Sequence, residues 1–553
     1  MSLFSFYQPK LFTTLRDYSA RQFSSDLIAG LVVGVVALPL CIALAIASGV
    51  SPERGLIAGI IGGFLVSVLG GSRVQIGGPA GAFVVIVFGI IAEYGLEGLI
   101  MATMMAGVIL IIMGVIGLGS VIKYIPHPVV VGFTSGIALI IFISQIGDLL
   151  GMKLAGTPAD VLERLEVYYH ALGTINANAL MIGGLTILIQ IFWPRWVTKQ
   201  VPGSLIAILV TTLLAVFFTL PVDTISSRFG DIPRMIPAPH FPHFTLDQIR
   251  FLIPPATTIA ILAAIESLLS AVVSDGMIGS KHRSDTELVG MGIANISSAL
   301  FGGIPVTGAI ARTATNVRNG GRTPIAGIVH SMTLLAIMVV LAPLAGRIPL
   351  AALAAVLIVV AYNMSEWRTV RAMMKSPKSD VVVLLTTLSL TVIIDLTVAI
   401  QVGMVMAAFL FMKRMADITQ VISVKPMELD SDEELASRQL RAEDDDIEIY
   451  EIDGPLFFGA AYKFKEAMRI VEKPPRIRIL RMRRLNAIDD TGIDALREVT
   501  KMSQKMKTRL ILCEVHAQPL DALTKAGFEQ WLGVDNITLT LAGALERVES
   551  KRK

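Results

Sequence analysis

The sequence predicts a polytopic α-helical membrane protein with fourteen transmembrane segments, followed by a small cytoplasmic α/β domain. Of its 553 residues, 54% are hydrophobic and only 16% are charged, whereas average soluble chains carry about 25% charge. Apolar runs of membrane-spanning length fill residues 26–413. After residue 413 the composition becomes polar, and short stretches with strand and helix periodicity alternate.

These composition changes divide the chain into four parts. Residues 1–25 form a cytoplasmic N-terminal segment without a cleavage-site pattern, and residues 26–413 form the transmembrane domain. Residues 414–446 are an acidic linker, and residues 447–553 are the α/β domain. Within that domain, strands are predicted at 447–452, 477–482 and 510–515, and helices at 461–471 and 492–506.

The charged loops agree with an even number of spans and with both termini in the cytoplasm. Lys and Arg gather in alternate loops, whereas the stretch 160–166 and the Pro-rich loop 221–255 fall on the other side. The predicted spans are 26–47, 54–70, 79–92, 97–117, 128–147, 176–193, 203–220, 256–275, 287–302, 308–318, 325–345, 350–363, 380–396 and 398–413.

Two Gly- and Pro-containing breaks interrupt the apolar runs at matching places. The first, 70–83, contains Gly-Gly-Pro-Ala-Gly-Ala, and the second is 301–309. Each break lies 51 residues after the start of an apolar run, near Leu27 and near Thr257, which gives an offset of 230 between the halves. Interrupted segments at corresponding places in two halves are typical of the binding site of a secondary transporter.

The residues beside these breaks predict an anion site. We expect one helix to start at Pro79, a favoured first helical residue, and to offer the N–H groups of Gly81 and Ala82. A second helix starting near Thr307 would offer those of Gly308 and Ala309. Arg312 would lie one turn further on. Facing helix N-termini and a guanidinium attract anions. Alternatively, Arg312 pairs with an acid, and the small residues only allow close helix packing.

Glu266 lies deep in an apolar run and is the candidate for ion coupling. A carboxylate there should face a cavity, pair with a partner or bind a proton. The alternative is a carboxyl group satisfied by neighbouring backbone amides. Asp395 falls between two short spans, where we expect an interfacial position.

Other functional classes lack support in the sequence. There is no phosphate-binding glycine loop and no nucleophile–base pair, so neither ATP-driven pumping nor an enzyme activity is expected, and no cofactor is implied. His240 and His243 stand alone in a Pro-rich loop, so no metal site is predicted. Two cysteines give no disulfide framework, and the net charge of +3 gives no indication of nucleic-acid binding.

Several motifs resemble the SulP (sulfate permease) family of anion transporters. They are Asp26-Leu-Ile-Ala-Gly-Leu-Val-Val-Gly-Val-Val-Ala-Leu-Pro-Leu, the Gly-Gly-Pro break, Glu287-Leu-Val-Gly-Met-Gly-Ile-Ala-Asn295-Ile and Arg312-Thr-Ala-Thr-Asn316. The C-terminal domain is similar to the STAS domain of that family, with its signature turn at Asp489, Asp490, Thr491 and Gly492.

The resemblance implies a seven-plus-seven inverted repeat of core and gate domains in a homodimer, with elevator-type movement, in the inner membrane of a bacterium. It implies an anion between the third and tenth helices, and Glu266 as the coupling residue of the eighth. The substrate-binding candidates are Leu40, Pro79, Ala80, Gly81, Ala82, Phe83, Thr307, Gly308, Ala309 and Arg312.

The resemblance is strongest to bacterial members that handle C4-dicarboxylates, which share Ala264-Ile-Glu-Ser and Ala311-Arg-Thr-Ala. The expected function is therefore proton-coupled uptake of an inorganic oxyanion or a C4-dicarboxylate. Sodium-coupled bicarbonate symport is the main alternative, although such members carry Asp at the position of Glu266 and lack the Arg. An anion exchanger or channel is a further alternative.

The STAS domain departs from the family pattern at its signature turn. Domains of the anti-sigma-antagonist type carry a phosphorylatable Ser where this chain has Asp490. The carboxylate either mimics the phosphorylated state or marks a switch that is absent, and we favour the second reading. A cytoplasmic protein partner of the domain is expected from the resemblance.

Overall fold

The computed structural model describes residues 7–120, 125–154, 156, 158, 160–196, 201–242, 245–394, 396–423, 447–469 and 474–549. His243, Asp395 and residues 424–446 of the predicted linker lie outside the described residues. The chain divides into two compact units, Met1–Met404 and Val405–Lys553.

Helices and one pair of very short strands make up the first unit, and the last helix crosses the boundary between the units. The elements are α1 (Lys10–Thr14), α2 (Ala20–Ala47), α3 (Pro52–Leu69), β1 (Gly77–Gly78), α4 (Phe83–Val115), α5 (His127–Leu149), α6 (Val161–Ala171), α7 (Ala177–Trp196), α8 (Gly203–Phe217), α9 (Ile225–Phe229), α10 (Leu246–Ile278), α11 (Ser284–Leu300), β2 (Thr307–Gly308), α12 (Ile310–Arg318), α13 (Ile325–Ala345), α14 (Leu350–Met364), α15 (Trp367–Met373), α16 (Lys378–Ile393) and α17 (Leu396–Ile418).

The fourteen predicted spans all correspond to helical segments of the described chain. The spans 79–92 and 97–117 are the two parts of α4, which Gly95 interrupts with a φ of 66°. By length and apolar composition, eight described helices can cross a membrane alone, or nine if the bent pair Val161–Thr174 and Ala177–Trp193 is one span. Short segments such as the nine-residue α12 cannot cross about 30 Å of hydrocarbon unaided. They are half-spans inside the protein.

Helix packing follows the predicted repeat. α2 packs along α13, and α10 packs along α4. With an offset of 230 residues, α10 is the equivalent of α2 and α13 is the equivalent of the second part of α4, so these two contacts are equivalent. The approach is close: a Cβ at Gly34 would lie 2.6 Å from the Thr333 Cβ. A second group of helices, α5, α7, α8, α14 and α16, packs within itself.

The first helix begins earlier than predicted. α2 starts at Ala20, because Ser19 caps it by accepting a hydrogen bond from the Gln22 N–H group (3.2 Å). Asp26 therefore lies inside the helix and is fully buried. It accepts hydrogen bonds from the N–H groups of Arg322 (2.7 Å) and Thr323 (3.3 Å), just before α13.

The second unit contains a five-stranded sheet with helices around it. The sheet order is β3-β4-β5-β6-β7, with β3 antiparallel to β4 and the other pairs parallel. Separate apolar clusters are built on Leu480 and Leu512, and on their strand neighbours Ile479 and Ile511. Because neighbours along a strand point to opposite faces, both faces of the sheet are covered. The elements are β3 (Gln420–Ser423), β4 (Ile447–Asp453), α18 (Phe458–Arg469), β5 (Ile477–Arg484), α19 (Asp490–Lys505), β6 (Arg509–Cys513), α20 (Ala517–Lys525), α21 (Phe528–Leu532), β7 (Ile537–Thr538) and α22 (Leu541–Glu549).

The three predicted strands and two predicted helices of this domain are present. The predicted linker 414–446 was wrong at its start, because α17 continues to Ile418 and residues 420–423 pair with β4 as an edge strand. The antiparallel pairing supplies backbone partners that the local sequence does not reveal.

Candidate functional site

The two breaks meet as a pair of two-residue strands. Gly77 pairs with Gly308 and Gly78 with Thr307 in antiparallel register. Under the offset of 230, Gly77 corresponds to Thr307 and Gly78 to Gly308. Gly77 thus pairs with the residue equivalent to Gly78, and Gly78 pairs with the residue equivalent to Gly77. A two-fold axis between the strands requires this pattern. The pairing brings the helices that follow the two breaks to one place.

A proline makes this pair asymmetric, and Asn295 compensates for it. The Ala309 N–H group donates to the Ile76 carbonyl oxygen (3.0 Å). The equivalent of Ala309 is Pro79, which has no N–H group to offer to Val306. The Asn295 side chain bonds Val306 instead: its Nδ2 donates to the carbonyl oxygen and its Oδ1 accepts from the N–H group, both at 2.9 Å.

The first predicted helix start was wrong by four residues. α4 begins at Phe83, not Pro79, because residues 81 and 82 form a turn between β1 and the helix. In that turn the Phe83 N–H group donates to the Ala80 carbonyl oxygen (3.2 Å) and the Val84 N–H group to that of Gly81 (3.1 Å). The N–H groups of Gly81 and Ala82 have no partner among the described residues. These two N–H groups are therefore available, but they belong to a turn and not to the start of a helix.

The second predicted helix start was wrong by three residues. α12 begins at Ile310, not Thr307, because residues 307 and 308 form β2. The Ala309 N–H group, predicted to be available, is bonded to Ile76. The unbonded N–H groups at this end are those of the first turn, at Ile310 and Ala311. Neither α4 nor α12 has a side-chain cap at its N-terminus, so both ends keep unsatisfied donors.

Arg312 connects the two breaks. Its side chain is only 4% exposed, and its Nη2 donates to the Pro79 carbonyl oxygen. Its Nη1 lies 3.8 Å from the Cys41 Sγ atom. Among the described residues it forms no ion pair with Glu266 or another acid. The guanidinium charge therefore has no internal counterion, which favours binding of an external anion.

Glu266 lies on α10 beside this region and is partly exposed. Its carboxyl group accepts no hydrogen bond from the described residues, so the alternative of a carboxyl satisfied by backbone amides is not what the structure shows. The Thr307 hydroxyl donates to the Ala263 carbonyl oxygen (2.9 Å). This bond ties β2 to α10 within one turn of Glu266.

The remaining substrate-binding candidates, Leu40, Ala80 and Phe83, differ in their exposure. Leu40 is partly exposed on α2, next in sequence to Cys41. Ala80 is partly exposed in the turn before α4, while Phe83 is buried at the helix start. The structure thus brings Pro79, the turn after it and Arg312 together. The Thr307 hydroxyl is instead bonded to the Ala263 carbonyl oxygen.

Two buried groups near the site were not predicted. Glu287 accepts hydrogen bonds from the N–H groups of Gly71 (2.6 Å) and Ser72 (2.9 Å) and from Gln75 Nε2 (2.8 Å). It therefore holds the chain that leads into β1. His330 on α13 is fully buried, and neither ring nitrogen has a partner among the described residues. Both are polar residues inside predicted spans, which is the signal that marks them.

The signature turn of the second unit caps a helix. Asp489 Oδ1 accepts from the Gly492 N–H group (2.8 Å) at the start of α19. A Cβ at Gly492 would overlap the Leu456 carbonyl oxygen and lie 2.7 Å from Ile488 Cγ1. Asp490 and Thr491 are exposed. The turn is thus rigid in its backbone and open to solvent at two polar side chains.

This fold and site define a class of protein: a membrane transporter for anions, built from two related halves. The chain belongs to the Sulfate permease family, which it matches over residues 23–387, and it carries a STAS domain matched over residues 440–544. Like its relatives, it is a transporter and not an enzyme.

Three similar proteins illustrate the relationship. The "Putative sulfate transporter YvdB" of Bacillus subtilis is 42% identical over 520 residues, covering 94% of this chain and 96% of that protein. The "Bicarbonate transporter BicA" of Picosynechococcus is 32% identical over 453 residues, 80% of each chain. The inward-facing structure of the murine Solute Carrier 26 family member A9 anion transporter has a TM-score of 0.87 at 17% identity, covering 99% of this chain and 94% of that one. At this identity the last comparison shows the fold alone.

These relatives do not support the predicted resemblance to C4-dicarboxylate transporters. Their names refer to sulfate and bicarbonate. The short stretches around Glu266 and Arg312 on which that resemblance rested are too few to fix a substrate, because helix N-termini and one Arg serve any small anion.

Proposed function

We propose that this protein is a secondary active transporter that takes up a small inorganic oxyanion, sulfate or bicarbonate, together with protons. The observation that carries the proposal is the β1–β2 pair. This pairing supports the proposal, because two uncapped helix N-termini and the Arg312 guanidinium lie beside it, and among the described residues Arg312 has no counterion.

The anion would be held by backbone donors and one fixed charge. The N–H groups of Gly81 and Ala82 lie at one helix start, and those of Ile310 and Ala311 lie at the other. N–H groups at a helix N-terminus favour negative charge, and an Arg adds charge-assisted hydrogen bonds. These donors bond the oxygen atoms of an anion and do not contact a carbon skeleton. They therefore suit compact tetrahedral or planar oxyanions.

Glu266 would couple transport to protons. Its side chain is partly exposed on α10, and its carboxyl group is unbonded within the described residues. A proton on Glu266 would offset part of the charge of the loaded site. Such neutralisation would ease an elevator-type movement of the helices around β1–β2 past α5 and α14, because moving charge through an apolar environment is costly.

Uptake of labelled sulfate and labelled bicarbonate into proteoliposomes, with an inward proton gradient and no sodium, tests this proposal. We expect gradient-driven uptake of one of them. Glu266→Gln should abolish the dependence on the proton gradient while the protein remains in the membrane. Undiminished gradient-driven uptake by Glu266→Gln would refute the coupling role.

A second candidate function is sodium-coupled bicarbonate uptake. It is favoured by the 32% identity to a bicarbonate transporter over 80% of each chain. The same assay separates the two: uptake that appears only when sodium is added, with bicarbonate as the best substrate, would establish the second function. Current that follows only the electrochemical gradient would instead indicate a channel.

We also propose that the protein is a homodimer in the bacterial plasma membrane with both termini in the cytoplasm, and that its STAS domain binds a cytoplasmic protein. The alternation of basic loops supports this orientation. Exposed Asp490 and Thr491 offer a polar contact for a partner. Cross-linking in membranes and protease protection in oriented vesicles test the dimer and the orientation.

A further inference from the structure

A crevice opens on the side of the first unit that the charge pattern predicts to face outward. It consists of two adjoining cavities of about 310 Å³ and 520 Å³. Both are lined by Ala47, Phe88, Ser144 and Arg164. We call this space the outer crevice. Its lining comes from α2 and α4, which belong to one group of packed helices, and from α5 and α6, which lie outside that group.

Arg164 is the buried charge of the outer crevice. The residue is only 7% exposed. Its Nε and Nη2 both donate to the Pro158 carbonyl oxygen, at 2.9 and 2.6 Å, and its guanidinium lies 4.9 Å from the centre of the Phe88 ring. Nη1 donates to no atom of the described residues, and no described carboxylate forms an ion pair with Arg164. A desolvated cation of this kind attracts an anion.

The other charged groups of the crevice are already engaged or exposed. Asp148 and Asp223 pair with Arg228, at 2.7 and 3.4 Å. Burial alone would lower the pKa of Arg228, but these two carboxylates raise it above its ordinary value. Asp160 Oδ1 accepts from the N–H groups at the start of α6, and Lys153 is exposed. The acids therefore do not neutralise Arg164 directly.

The outer crevice also leads towards the anion site. Its smaller cavity reaches Val84 and Val85, the second and third residues of α4. The N–H groups of Gly81 and Ala82 lie less than one helical turn before them. The outer crevice thus ends close in sequence to the turn that precedes α4.

We infer that Arg164 forms a second anion site, which recruits small oxyanions from the outer side before they reach the central site. The identity of the anion, the outward orientation and the onward step to the central site rest on the function proposed above, whereas the attraction of anions to Arg164 does not. A buried cation without a carboxylate partner attracts anions to its side of the crevice and so raises their local concentration beside Arg164. The Phe88 and Pro158 contacts hold the guanidinium in place between entries.

A chemical probe of local charge tests this inference without requiring transport. Ser144 lines both cavities, so Ser144→Cys places a thiol beside Arg164. The full-length protein in membrane vesicles is treated with methanethiosulfonates that carry either a sulfonate or a trimethylammonium group. Each rate is normalised to that of a free thiol. Protein with Ser144 intact is the blank, since Cys41 and Cys513 are buried.

We expect the anionic reagent to be favoured about tenfold or more, and sulfate to slow its reaction. Arg164→Gln should abolish this preference, and Arg164→Lys should keep most of it. Arg228→Gln is the matched control, because removing this paired cation from the crevice leaves Arg164 in place. A preference that survives Arg164→Gln, or a thiol that neither reagent modifies, would overturn the inference. A purely structural Arg164 would change both rates equally and leave their ratio constant.

Discussion

Replacing Gly78 with Ala tests the close approach between β1 and Arg312. Gly78 has a φ of 151°, which L-residues rarely adopt. A Cβ there would lie well within 3.0 Å of Arg312 Nη1 and 3.2 Å from its Cζ, whereas ordinary contact begins at 3.4 Å. The guanidinium would have to move by about 1 Å, a shift that can cost about a hundredfold in a binding or reacting geometry. The unusual backbone conformation adds about 1–3 kcal/mol of strain.

The expected loss of anion affinity follows from these distances. If the displaced guanidinium loses one charge-assisted hydrogen bond to the anion, the cost is about 1.5–3 kcal/mol. This corresponds to a ten- to hundredfold higher KM in uptake assays. Gly276→Ala is the matched control, since it lies on α10 and a Cβ there meets nothing within 4 Å. A KM of Gly78→Ala within about twofold of the control, at equal protein in the membrane, would refute the reasoning.

Three further substitutions test contacts that hold the fold. Asn295→Ala should lower the thermal unfolding temperature in detergent, because it leaves the N–H and C=O groups of Val306 unbonded at about 1–3 kcal/mol each; an unchanged temperature would contradict this. Asp26→Ala should destabilise the junction before α13 by about 1–2 kcal/mol through loss of its cap, measured in the same way against Asp247→Ala at an exposed helix start. Gly492→Ala should make the STAS domain of the full chain more sensitive to protease, because its Cβ overlaps a carbonyl oxygen; wild-type resistance would show that the turn can adjust.

The sequence predicted the repeat and the two breaks well, because both depend on local signals. Gly- and Pro-rich breaks and long apolar runs are visible in single segments. The helix starts were predicted less well. The rule that Pro favours the first helical residue placed the start at Pro79. In the structure β1 pairs with a distant segment and ends at Gly78, and a turn at residues 81 and 82 delays the helix. Long-range pairing of this kind leaves no local trace.

The roles of Asn295 and Glu287 could not be read from the sequence for the same reason. The partners of Asn295 are backbone groups, and the Gly71, Ser72 and Gln75 groups that bond Glu287 lie more than 200 residues away from it. Likewise β3 is only four residues long and is followed by a strongly acidic stretch, so the composition of that stretch concealed an edge strand. The strands β4 and β5 were predicted correctly, because apolar and charged residues alternate along each of these single segments.

The most direct test of the central claim is calorimetric binding of sulfate and of bicarbonate to the purified protein and to Arg312→Ala. We expect that at least one anion binds the wild-type protein and that Arg312→Ala binds it at least about tenfold more weakly. Equal affinities in the two proteins would show that the anion does not bind beside Arg312.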